Sequence, residues 1–114
     1  MSLRNNPMVE TNAKSIKFEI YIGGDINQAK HNLAQLFSRE DFCVSIDPTE
    51  FIYTGGRESG MIVRLINYPR FPRSHEELYE IAKDIAIDLI DYLGQSSCSI
   101  VGPNETIWFS RRQK

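Results

Sequence analysis

FCVSIDPTEFIY, residues 42 to 53, is the stretch on which the fold turns. Phe42, Val44 and Ile46 alternate with polar or small neighbours, Asp47 and Pro48 interrupt them, and Phe51, Ile52 and Tyr53 resume the apolar run. A period of two marks a strand with one face against a core. Broken at Asp47 and Pro48, the stretch is two short strands. Read through the proline, it is one bent strand.

The segments on either side are easier to read. Ile16, Phe18, Ile20 and Ile22 alternate with Lys17, Glu19 and Tyr21 until Gly23 and Gly24 stop the strand. Asp25 then stands at an N-cap position with Gln28 three residues on, and Ile26, Ala29, Leu33, Leu36 and Phe37 share one face of the following helix. His31, Gln35 and Ser38 share the other. GGRESG, residues 55 to 60, reads as a hinge before a strand from Met61 to Ile66. A second helix starts at Ser74, with Glu77 at the capping-box position, and runs Leu78, Ile81, Ala82, Ile85, Leu89 and Leu93 along one stripe to Gly94. Short strands over 97–101 and 105–110 complete the chain. Residues 1 to 14 read as a loose leader, 15 to 110 as one domain with halves 15–54 and 61–110, and 111 to 114 as a basic tail.

The two-strand reading makes the order repeat. CVSIDPTEFIY (43–53) aligns without a gap on CSIVGPNETIW (98–108), matching Cys43 with Cys98, Pro48 with Pro103, Glu50 with Glu105 and Ile52 with Ile107. Helix positions Ile26, Ala29 and Leu33 correspond to Ala82, Ile85 and Leu89. Tandem strand-helix-strand-strand modules resemble the duplicated fold of gyrase-inhibitor-like proteins, and that resemblance implies a small-molecule groove between modules. The fold class is then α+β: a two-layer sandwich with two helices on one face of a mostly antiparallel sheet, built as a duplicated βαββ. If 42–53 is one bent strand, the alternative is a ferredoxin-like sandwich.

Composition narrows the function classes. The 114 residues are 41% hydrophobic and 25% charged, as in an ordinary globular domain, and no apolar run reaches bilayer length. With no secretory h-region at its N-terminus, the chain is expected in the cytoplasm. The net charge of −2 conceals a leader of +1 and a tail of +3, so residues 15 to 110 carry −6 and would repel phosphate. Nucleic acid is an unlikely partner on that ground. Two cysteines make neither a disulfide framework nor a zinc motif and read as buried thiols. No metal or cofactor is implied.

Candidate sites follow from facing. With the isoleucines, Ile52 and Ile107 included, turned toward the helices, alternation sends Tyr21, Tyr53 and Trp108 to the opposite face with Lys17, Glu19 and Ser45. Arg64 has apolar neighbours and apolar alternates, which leaves its side open. YPRFPR, residues 68 to 73, ends a strand through Pro69 and Pro72, which also hold off the helix, and this job does not require Tyr68 or Phe71. The binding candidates are therefore Tyr21, Tyr53, Trp108, Arg64, Tyr68 and Phe71. Glu80, Asp84, Asp88 and Asp91 read as a solvated stripe. Asp91, near a helix C-terminus, calls for a basic neighbour.

His31 and His75 have no nucleophile or orienting acid beside them in the sequence, so no catalytic residue is assigned and the chain is expected not to be an enzyme. The expected function is non-catalytic binding of a protein partner through the aromatic sheet face, as an inhibitor or immunity-type protein or a self-associating homodimer. The alternative is sensing of a small-molecule ligand between the halves. A protein-binding surface would be broad and flat, whereas a ligand site needs a cavity of at least about 300 Å³ with a few convergent polar groups.

Overall fold

Burial follows the alternation of the first strand: in β1 (Lys17–Gly23), Phe18, Ile20 and Ile22 are buried while Lys17, Glu19 and Tyr21 face the other way. In the computed structural model, which describes residues 7–37 and 42–111, this strand is the centre of a five-stranded antiparallel sheet. The other elements are α1 (Ile26–Leu36), β2 (Ser45–Tyr53), β3 (Gly56–Ile66), α2 (His75–Leu93), β4 (Ser97–Val101) and β5 (Thr106–Ser110). Strand order is β2-β3-β1-β4-β5. Both helices lie on one face, so the architecture is the expected two-layer α+β sandwich.

Of the two readings of residues 42 to 53, the single strand is the one observed. β2 pairs continuously with β3 from Ser45↔Arg64 to Tyr53↔Gly56. Pro48 does not break it, because β2 is an edge strand and the missing N–H has no ladder partner to lose. The GGRESG stretch is correspondingly no hinge. A turn at Thr54 and Gly55 (φ +89°) reverses the chain, and β3 begins at Gly56. The first half thus has one strand fewer than a βαββ module. The order β1-α1-β2-β3-α2-β4 is that of a ferredoxin-like sandwich, with β5 added beside β4.

Three expectations of burial are corrected. Ile52 is 76% exposed, because the β2–β3 hairpin runs past the last β1 pairing at Gly23↔Gly60 and no helix covers it. Cys43 is exposed and lies ahead of β2, whereas Cys98 is buried within β4, so the aligned cysteines are not equivalent. Asp88 is not solvated like Asp84; it is half-buried and accepts a hydrogen bond from α1. Arg111 supplies the cation that Asp91 calls for, as an ion pair at the end of α2. Arg4, Ser38, Arg112 and Lys114 lie outside the described residues.

The helix ends are those the capping residues specify. Asp25 accepts from the N–H groups of Asn27 and Gln28 at 2.7 and 3.3 Å. Ser74 and Glu77 form the reciprocal capping box, and Gly94, with φ +67°, closes α2 in the left-handed conformation. The linker before α2 is braced by the buried Asn67. Its side chain donates to the Lys14 carbonyl at 2.9 Å and accepts from the Arg73 N–H at 2.8 Å. YPRFPR is held as a turn on that clamp, with the Phe71 N–H bonded to the Tyr68 carbonyl.

Candidate functional site

The first turns of α2 overhang the end of the sheet where β4 turns into β5, and a cavity of about 310 Å³ lies between them. Its lining starts with Phe18, a residue only 3% exposed, whose ring packs against two side chains spaced i, i+4 on α2. The His75 ring centroid is 5.2 Å away and that of Tyr79 is 6.0 Å away. Residues i and i+4 share one helix face, so α2 presents both rings to the same strand. Gly102 closes against the Phe18 ring, since a Cβ there would stand 2.6 Å from Cε1. Ile100 and Ile107 supply apolar walls, and Pro103, Asn104 and Glu105 form the hairpin lip.

Three carboxylates, Glu76, Glu80 and Glu105, stand around this apolar interior, and among the described residues no lysine or arginine lines it. Glu80 is partly neutralised by Lys83 at 3.4 Å, and the Lys83 ammonium lies 5.8 Å from the Tyr79 ring centroid. Among the described residues, Glu76 and Glu105 have no ion-pair partner. Aromatic faces and carboxylates both attract cations, so the site is electrostatically suited to a positively charged or neutral organic ligand. A wider depression of about 540 Å³ at the other end of the sheet is lined by Asp25, Thr49, Glu58 and Gln95, and among the described residues no aromatic ring lines it.

The uncovered sheet face brings together some of the residues predicted for binding. Tyr21, Ser99 and Trp108 lie in one cross-strand row, and Arg64 and Glu19 are paired in the next. Arg64 faces outward. Its Nε donates to Glu19 at 2.7 Å, another guanidinium nitrogen pairs with Asp47, and Tyr21 reaches Glu19 at 3.4 Å. These bonds to Glu19 first, and then to Asp47, hold the Arg64 pKa above its ordinary value. Tyr53 stands apart at the tip of the β2–β3 hairpin. Tyr68 and Phe71 are also separate, with their rings 5.6 Å apart and the Tyr68 hydroxyl donating to Cys43 Sγ at 3.2 Å. That bond, with partial burial, raises the Tyr68 pKa.

None of those six residues lines the cavity. The sequence does place Phe18 on the inner face, His75 at the start of α2 and Glu105 in the last hairpin, but joining them needs the distance between α2 and the β4–β5 turn. The i, i+4 pair of His75 and Tyr79 was the available signal. Among the described residues no group of His, Cys, Asp or Glu is placed to hold a metal ion, and no helix is long and apolar enough to cross a membrane.

No protein-family model and no curated protein matches this sequence. Solved structures do match its fold. A phage SAM lyase in complex with S-methyl-5'-thioadenosine superposes with a TM-score of 0.77 over 96% of this chain and 99% of its own, at 12% identity. The apo state of a phage SAM lyase gives 0.72 over 95% and 99%, at 13% identity. The expectation of a non-catalytic inhibitor, immunity-type protein or dimer working through the sheet face is corrected by this likeness, because the matching structures are those of an enzyme. That expectation counted exposed aromatics and had no means of seeing the concavity that α2 creates over β4 and β5.

Proposed function

We propose that this chain binds S-adenosylmethionine in the cavity under α2 and cleaves it to S-methyl-5'-thioadenosine. One observation carries the reading: a cavity of about 310 Å³ with aromatic and acidic walls, in a fold shared over nearly the whole chain with a SAM lyase that binds this thioether. The volume falls at the lower end of the range of small-molecule sites, about 300 to 1,000 Å³.

The two molecules differ by the four-carbon amino-acid arm on sulfur. In the reaction the S–Cγ bond breaks, its electron pair stays on sulfur, and the sulfonium becomes a neutral thioether. A lyase admits no water as reactant. The departing arm compensates within itself, by giving up the proton on the adjacent carbon to a base or by closing its own carboxylate onto Cγ. In either course the positive charge on sulfur disappears, and apolar walls keep out the water that would otherwise compete for Cγ. Phe18, Ile100 and Ile107 supply such walls. The carboxylates of Glu76 and Glu105 suit the ribose hydroxyls, a pairing that acidic residues make in other nucleoside sites.

The test is incubation of the purified chain with S-adenosylmethionine, following S-methyl-5'-thioadenosine by liquid chromatography and mass spectrometry. Enzyme-dependent formation, with no oxygen-18 from labelled water in the four-carbon product when first formed, supports the reading. Thioether formation no faster than the spontaneous rate, at any protein concentration, overturns it.

A further inference from the structure

We infer that the ring of Tyr79, with Phe18 and His75 beside it, makes this site select its ligand by the charge at the sulfur position. The cationic substrate is held more tightly than a neutral thioether of the same shape. This rests on the assignment of the cavity to an adenosyl ligand and adds to it what discriminates substrate from product.

Three observations support it. First, the polar residues of the lining are Glu76, Glu80, Glu105, His75, Tyr79 and Asn104, and among the described residues no lysine or arginine lines it to disfavour a cation. Second, three rings converge: His75 and Tyr79 flank Phe18 at 5.2 and 6.0 Å. Aromatic faces attract a cation within about 6 Å of the centroid, most strongly where water is excluded. Third, the Tyr79 ring already attracts a cation in this structure, the Lys83 ammonium at 5.8 Å. That ammonium also holds Glu80 at 3.4 Å, so Lys83 offsets part of the field a bound cation would experience. Once the S–Cγ bond has broken, the thioether no longer has this attraction. Loss of charge thus weakens the hold on product at the step that forms it.

The test uses the full chain and three uncleavable probes in titration calorimetry. Sinefungin carries an ammonium where the sulfonium stands, S-adenosylhomocysteine is a neutral thioether with the same amino-acid arm, and S-methyl-5'-thioadenosine is the product. Sinefungin should bind about tenfold more tightly than S-adenosylhomocysteine, the scale of a desolvated cation–π contact. Tyr79→Leu should bring that ratio to within about threefold, whatever affinity all three probes lose together through the altered wall, and Tyr79→Phe should preserve it. Lys83→Gln, which removes the ammonium from beside Tyr79 while leaving all three rings in place, should widen the ratio. Equal affinity for sinefungin and S-adenosylhomocysteine in the wild-type chain overturns charge selection, although thioether binding would still uphold the cavity. A ratio unchanged in Tyr79→Leu, or narrowed in Lys83→Gln, also overturns it. Absence of binding by all three probes overturns the cavity assignment itself and this inference with it.

Discussion

Asn32 and Asp88, 56 residues apart, meet where α1 lies against α2: the Asn32 amide donates to the Asp88 carboxylate at 2.7 Å. Asn32 is only 9% exposed, so its amide depends on that acceptor. Asp88→Ala should destabilise the fold by about 1 to 3 kcal/mol, the cost of leaving a buried polar group unpaired. Asn32→Leu in the same background should recover part of this. Urea unfolding of the two single variants and the double variant measures the coupling, and additive losses would mean that the bond contributes nothing.

Gly102 controls the cavity through Phe18. A methyl group at position 102 would stand 2.6 Å from the ring, which itself packs against His75 and Tyr79. Gly102→Ala should therefore cost about 1 to 3 kcal/mol through overpacking and displace the ring into the ligand space. The expected result is loss of S-methyl-5'-thioadenosine affinity larger than the loss of stability explains. Gly94→Ala is the contrast: nothing lies within 4 Å of its Cβ, but its φ of +67° is strained for alanine. That variant should lose about 1 kcal/mol with ligand affinity unchanged.

The Arg64 network predicts an order of effects. The Glu19 side chain is 16% exposed and the Asp47 side chain 60%, although both accept from the same guanidinium. Solvent screens the Asp47 pair, so Asp47→Asn should cost less than about 1 kcal/mol. Arg64→Met leaves Glu19 half-buried without its cationic partner and should cost more than Asp47→Asn does, with Glu19→Gln restoring much of the loss. Thermal unfolding of the series checks the order, and equal losses from Asp47→Asn and Arg64→Met would refute it.

Much of this arrangement is written in local patterns. The alternation of Phe18, Ile20 and Ile22, the Ser74/Glu77 capping box and the αL Gly94 each act within a few residues, and each appears in the fold where its chemistry places it. Pro48 was ambiguous because a proline breaks a central strand but not an edge strand, and the sequence does not show which strand is the edge. The sheet face was partly legible: Tyr21 and Trp108 share a row as the alternation requires, and the side occupied by Arg64 emerged only from its pairing with Glu19. The cavity was not legible, because Phe18, His75 and Glu105 come from three elements whose meeting depends on where α2 crosses the sheet.

Cys98 gives the fold an alkaline limit that Cys43 does not. Its side chain is buried in β4, and burial disfavours the thiolate, pushing the thiol pKa from its ordinary 9.0 up to about 11. Between those values the unfolded chain loses the proton while the folded chain keeps it. The proton therefore favours the folded state fully below pH 9, and this contribution is lost as pH rises toward 11. In that window stability should fall by about 1.4 kcal/mol per pH unit more in the wild-type chain than in Cys98→Ala, which has no thiol to titrate there. Urea unfolding at half-unit steps from pH 8 to 10.5 gives the two slopes, and their difference cancels the lysines and tyrosines common to both proteins. A thiol reagent supplies an independent check at pH 8: exposed Cys43 should react at once, and Cys98 only as the chain unfolds. Equal slopes, or prompt reaction of both thiols, would show that β4 does not shield its cysteine.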